Sequence, residues 1–93
     1  MQTEVFVDIL RKIKGIEDKD GVYTLADGWD MTVHLGSPGR ALVVRKVRAV
    51  RIDGPLITLD STESGSIYCT CSDVSVVTAE EAMAARGARA GFG

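Results

Sequence analysis

Two cysteines and one histidine are the side chains of this sequence that could support metal or nucleophilic chemistry: Cys69, Cys71 and His34. A structural zinc site takes four ligands, usually from two separated Cys or His pairs, and the sequence contains one Cys-x-Cys and one histidine. A Cys–His nucleophile would need His34 to reach across the fold and a carboxylate to orient the ring. We therefore predict free, small apolar thiols in a reducing compartment, no metal or other cofactor, and no catalytic activity.

Basic side chains form the second candidate site, because five of the 11 lie within one short stretch: Arg40, Arg45, Lys46, Arg48 and Arg51. A surface lined in this way could follow a phosphate backbone, with Tyr23, Trp29 or Tyr68 stacking on a base. A solvated strand face, with its charge balanced by nearby acidic residues, is the favoured interpretation, and contact with a protein partner is another. The net charge of -2 and the aromatic content of 5% disfavour nucleic-acid binding.

The N-terminal segment places five apolar residues at helical spacing: Val5, Phe6, Ile9, Leu10 and Ile13. We predict an amphipathic helix from Thr3 to Lys14, with Thr3 as its cap and Gly15 closing it in the left-handed conformation. A strand over residues 5–10 is the alternative, because β-branched residues are present there. The acidic residues that follow, from Glu17 to Asp20, are predicted to lie in a charged loop.

The period then changes from helical spacing to the alternation of a strand. In Trp29–Leu35 the apolar residues occupy every second position, which predicts a strand with one wet face. Val22–Leu25 is predicted to pair with it through the loop Ala26-Asp27-Gly28, which sets Leu25 opposite Trp29.

The stretch from Arg40 to Asp53 fits two interpretations. Ser37 and Pro38 could start a helix over it, but its valines and isoleucine favour strands at Ala41–Val44 and Val47–Ile52, joined by a bulge near residues 45 and 46. Asp53-Gly54 is then predicted to form a two-residue hairpin loop that sets Val50 opposite Ile57.

The C-terminal third is predicted to contain strands at Ser66–Cys71 and Val74–Val77, followed by a helix. Thr78 and Glu81 match a capping box for a helix ending near Arg86. We expect one small domain over residues 1–87 and a mobile tail over 88–93. The predicted buried residues are Trp29, Met31, Val33, Val50, Ile57, Leu59, Ile67 and Cys69, with Phe6 and Leu10 capping one end.

These elements predict a mainly β fold: a small SH3-like or Sm-like β-barrel, or a curved antiparallel sheet of five to six strands, with an N-terminal and a short C-terminal helix. The order resembles that of Sm-like barrels, in which a helix precedes five strands. Leu25-Ala26-Asp27-Gly28 is similar to the turn of their first hairpin, and residues 67–77 are similar to their last hairpin. The base-stacking and uridine-binding positions of that family have no match in this sequence.

The distribution of apolar residues indicates the compartment and the class of function that we expect. No apolar run reaches the length of a membrane span, and the N-terminus lacks the pattern of a signal peptide, so we expect a cytoplasmic protein. The apolar run Ala41–Val44 is a candidate sheet edge, which favours self-association into a homo-oligomer. We therefore expect a non-enzymatic protein–protein interaction module acting as an adaptor, regulatory or assembly subunit. The alternatives are single-stranded nucleic-acid or nucleotide binding through Arg40–Arg51, and a structural role in a larger particle.

Overall fold

A computed structural model describes residues 1–36 and 41–81, which form one α-helix and two antiparallel sheets. The elements are α1 (Thr3–Lys12), β1 (Ile16–Lys19), β2 (Val22–Leu25), β3 (Trp29–Leu35), β4 (Leu42–Val44), β5 (Val47–Asp53), β6 (Leu56–Ser61), β7 (Gly65–Thr70), a 3₁₀ turn (Cys71–Asp73) and β8 (Val74–Glu81). The five-stranded sheet has the order β1-β2-β5-β6-β7, and the three-stranded sheet has the order β4-β3-β8. The mainly β prediction is confirmed, but the two sheets do not close into a barrel.

The core lies where the inward faces of the two sheets meet α1. Every second residue of β3 and β6 is buried there, and Phe6 and Leu10 of α1 are fully enclosed. The predicted core is confirmed at Met31, Val33, Val50, Ile57, Leu59, Phe6 and Leu10. Trp29, Ile67 and Cys69 are only half-buried, and they pack against this cluster from its margin.

The acidic segment after α1 is a strand, so its prediction as a loop was wrong. β1 pairs with β2, with Lys19 opposite Val22, and the two-residue connection Asp20-Gly21 has φ values of 53° and 78°. Two positive φ angles between paired strands define the type I′ turn that Asp-Gly favours. The dipeptide was therefore the signal for this hairpin, although β1 itself is charged and mostly exposed.

The predicted pairing of Val22–Leu25 with Trp29–Leu35 is also wrong, because the two strands lie in different sheets. β2 pairs with β1 and β5, whereas β3 pairs with β4 and β8. Gly28 does adopt a positive φ of 88°, but the segment around it turns the chain from one sheet into the other. A short glycine loop fits a hairpin and an inter-sheet corner equally well, and sequence spacing does not distinguish them.

The stretch after residue 40 forms two strands, which confirms the strand interpretation over the helix within its described part. The connection is a corner rather than a bulge, since β4 belongs to the three-stranded sheet and β5 to the five-stranded sheet. Lys46 turns the chain with a φ of 57°, and its carbonyl accepts a hydrogen bond from the backbone N–H of Thr62 at 3.0 Å. The hydroxyl of Ser61 donates to the carbonyl of Arg45 and holds the other side of the corner. Residues 37–40, with the predicted turn at Ser37-Pro38-Gly39, lie outside the described residues.

The β5–β6 hairpin has a different register from the predicted one. Its loop is Gly54-Pro55, and Val50 lies opposite Leu59 instead of Ile57. Gly54 has a φ of 60°, as the first central residue of a type II′ turn requires. Because the shift moves each partner by two residues, the same side chains still face the core.

Both ends of α1 differ from the prediction. The cap residue is Gln2, with no side-chain hydrogen bond, and Thr3 is the first helical residue. Gly15 is not among the residues with positive φ; instead it lies against the indole of Trp29, where a Cβ atom would come within 2.6 Å of the ring. Its role is to let this ring approach the backbone.

The predicted helix start at Thr78 is wrong, because residues 78–81 continue β8. They pair with β3 from Thr32 to Trp29, so the strand is twice as long as the sequence suggested. The remainder of the predicted helix and the tail, residues 82–93, lie outside the described residues. Pairing with β3 satisfies the backbone groups of residues 78–81 inside a sheet, so tertiary contacts override the local capping signal at the start of the predicted helix.

Candidate interaction site

The predicted basic residues take different positions. Lys46 Nζ lies 3.6 Å from Asp30 Oδ1 at the end of β3, and Arg51 Nε lies 3.5 Å from Asp60 Oδ2 on the outward face of the five-stranded sheet. Arg45 is exposed directly after β4. Arg40 lies outside the described residues.

Arg48 joins the two sheets. Its side chain, 29% exposed, leaves β5 and donates hydrogen bonds to three carbonyls of the β2–β3 corner: those of Trp29, Leu25 at 3.2 Å and Ala26 at 3.0 Å. Its Nη2 also lies 3.8 Å from Oδ1 of the fully exposed Asp27. The guanidinium therefore satisfies backbone acceptors where the chain changes sheet, and its three hydrogen bonds there leave fewer donors for a ligand.

A groove of about 530 Å³ lies on the outward face of the five-stranded sheet. Its exposed apolar surface comes from Leu56 and Tyr68, which are 56% and 78% exposed. Arg51, Asp53 and Asp73 also line it. Tyr68 is one of the three predicted stacking residues, but no local signal in the sequence indicates that the sheet brings it into one groove with Arg51.

The three-stranded sheet has two edges that carry exposed apolar side chains. β4 pairs with β3 alone among the described strands, and its Leu42 and Val43 are 54% and 38% exposed. β8 forms the opposite edge, where Val76 is 49% exposed. On the outward face, His34 of β3 lies between Val43 and Val76 in one cross-strand row.

The same outward face ends in a row of charges. Asp30 of β3 lies directly opposite Glu80 of β8. Directly opposite like charges on a sheet repel one another. Lys46 contacts Asp30 from the β4 side, so the row consists of the cation of Lys46 followed by the carboxylates of Asp30 and Glu80. Sequence analysis missed Glu80 because it assigned this residue to a helix.

The cysteines and the histidine are dispersed. Cys69 and Cys71 are free thiols near the end of β7, while His34 lies mid-strand in the other sheet. The pKa of the Cys69 thiol is raised mainly by burial, and to a smaller extent by the nearby carboxylate of Asp73 and thiol of Cys71. The raised pKa makes Cys69 a poorer nucleophile at neutral pH. Within residues 1–36 and 41–81, no cluster of three or more His, Cys, Asp or Glu side chains could hold a metal ion.

Comparison of this chain with protein-family models, with curated protein sequences and with solved structures finds no match. In the described part of the chain, no helix has the length and apolar character needed to cross a membrane.

Proposed function

We propose that this chain is a non-enzymatic protein–protein interaction module, an adaptor, regulatory or assembly subunit that self-associates through the edges of its three-stranded sheet. The observation that carries the proposal is the exposure of Leu42 and Val43 on an edge strand. A structural subunit of a larger particle would use the same surface. We also propose a cytoplasmic location, because a reducing compartment keeps the two cysteines as free thiols.

An unpaired edge presents a row of backbone donors and acceptors that can pair with another strand. Proteins that remain monomeric protect such edges with charged side chains, proline or a covering loop. In β4 the two exposed positions are apolar instead, and the cation of Lys46 is directed toward Asp30 of its own chain. Added apolar contact and backbone pairing both favour a second strand at this place.

The test compares two leucine variants that differ in location but hardly in exposure. Leu42 on β4 and Leu56 on the five-stranded sheet are 54% and 56% exposed, so replacing either by glutamate should leave the core intact. We expect the native chain to self-associate in sedimentation velocity experiments over a range of concentrations. Leu42→Glu should shift it to monomer, and Leu56→Glu should not. A native chain that stays monomeric at all concentrations contradicts the proposal, and dissociation by Leu56→Glu alone would transfer the interface to the groove.

Binding of single-stranded nucleic acid or a nucleotide is the second candidate, favoured by one observation. The exposed ring of Tyr68 shares its groove with Arg51, which supplies a stacking surface and a cation. Asp53 and Asp73 in the same groove oppose phosphate binding, so this function ranks second. Anisotropy with a labelled single-stranded oligonucleotide at physiological salt tests it. Micromolar binding that is lost in Tyr68→Ala and in Arg51→Gln would reverse the ranking.

A further inference from the structure

We infer that self-association is head-to-tail, with β4 of one copy pairing in parallel with β8 of the next copy, and that Arg45 of one copy then neutralises Glu80 of the other. This inference rests on the proposed self-association and specifies which surfaces meet. Each copy would use two different edges of the same three-stranded sheet.

Strand direction determines the pairing that such an extension produces. β4 and β8 are both antiparallel to β3, so they run in the same direction. A second copy that continues the sheet with its core side on the same face therefore places its β4 parallel to β8 of the first copy. Parallel pairs have evenly spaced, slanted hydrogen bonds and are only slightly less stable per residue than antiparallel pairs.

The alternation of side chains is compatible with this extension. Val44 of β4 and Val74 of β8 are buried on the core side, whereas Val43 and Val76 are exposed beside His34 on the outward face. In the pair between copies, Val43 lies beside Val76 or, with a shift of two residues, beside Thr78. The first arrangement packs the two exposed valines against each other, and the second packs Val43 against the methyl-bearing side chain of Thr78.

Charge complementarity selects β8 as the partner of β4. Arg45 follows Val43 by two residues, so in either arrangement it lies next to Glu80 or diagonal to it. Within one chain, Glu80 faces the like charge of Asp30, and the cation of Lys46 is on the far side of Asp30. Arg45 of the next copy completes a row with a cation at each end and two carboxylates between them.

Pairing of two β4 strands lacks this complementarity. An antiparallel pair centred on Val43 places each Arg45 opposite Ala41 of the other copy, so neither arginine meets a carboxylate and each Glu80 keeps the like charge of Asp30 beside it. A head-to-tail contact also leaves one free edge at each end, so it continues into a ring or an open filament. The expected species are therefore larger than a dimer at high concentration.

Charge reversal at each edge tests the inference. Arg45→Glu and Glu80→Arg should each weaken self-association about tenfold in sedimentation velocity, because an attractive pair becomes a repulsive one. The double variant should self-associate like the native chain, and so should an equimolar mixture of the two single variants, since every contact between unlike copies again joins opposite charges. Raising the salt concentration should weaken the native assembly and narrow these differences.

Lys19→Glu and Glu17→Arg serve as controls, because they make the same changes of net charge at the exposed edge strand β1 of the other sheet. They should leave assembly unchanged, and circular dichroism should show that all variants remain folded. If Arg45→Glu weakens assembly while Glu80→Arg does not, or if the double variant stays dissociated, the head-to-tail pairing is wrong. A native assembly that neither single variant affects overturns this inference but not the proposed self-association, whereas a monomeric native chain overturns both.

Discussion

Arg48 offers the sharpest test of how this fold is held together. Replacing it with methionine keeps an apolar stem and removes every donor, which leaves the carbonyls of Trp29, Leu25 and Ala26 without their guanidinium partner. A hydrogen bond from a charged donor contributes about 1.5 to 3 kcal/mol when it is buried. The Ala26 carbonyl is exposed and water can replace its bond, so we count the two part-buried bonds and discount them for partial exposure.

The expected loss for Arg48→Met is about 2 to 3 kcal/mol in the free energy of unfolding, which corresponds to a fall of about 8 to 24 °C in Tm for a domain of this size. Urea denaturation followed by circular dichroism measures the loss. Arg45→Met is the matched control, because Arg45 is exposed and, among the described residues, its side chain donates no hydrogen bond to a backbone carbonyl. This variant should change the free energy of unfolding by less than about 0.5 kcal/mol.

A third variant separates the hydrogen bonds from the ion pair of Arg48. Asp27→Asn removes the charge near the guanidinium and should have almost no effect, because Asp27 is fully exposed. A loss below about 0.5 kcal/mol for Arg48→Met, or an equal loss for Asp27→Asn, would refute the interpretation of Arg48 as the residue that joins the two sheets.

Three further predictions follow from the packing. Ile57→Ala should cost about 2 to 5 kcal/mol in chemical denaturation because Ile57 is 2% exposed, whereas Leu56→Ala on the opposite face should cost little. Gly15→Ala should lower the free energy of unfolding by about 1 to 3 kcal/mol, because the added methyl group meets the indole of Trp29. Most of this loss should disappear when the same change is made in a Trp29→Leu variant, and an unchanged loss would show that the clash is not its cause. Since folding raises the pKa of the Cys69 thiol, its contribution to stability is present below the unfolded pKa and is lost as pH rises through the folded pKa. Alkylation of Cys69 by iodoacetamide at pH 7 should accordingly be slower in the native chain than in urea, and equal rates would contradict this burial.

Sequence by itself determined the elements whose signals are local. The 3.6-residue period placed α1, and strict alternation placed β3 and identified which of its side chains face the core. The β-branched valines, rather than any alternation, placed the candidate edge at residues 41–44, where the structure has β4. These predictions succeed because periodicity records which side of an element is buried, whatever it packs against.

Only the tertiary structure decided which strands are neighbours. Backbone hydrogen bonds are the same for every strand, so alternation in β2 and β3 is equally compatible with a hairpin and with two separate sheets. The extension of β8 through Glu80 depended on the length of β3 beside it, and it gave Glu80 a position that no helical assignment could predict. The role of Arg48 likewise arose from an inter-sheet corner that brings carbonyls about twenty residues away in sequence to one guanidinium. Contacts between residues distant in sequence are set by the packing of whole elements, and for that reason the β8 half of the candidate interface, unlike the β4 edge, emerged only from the fold.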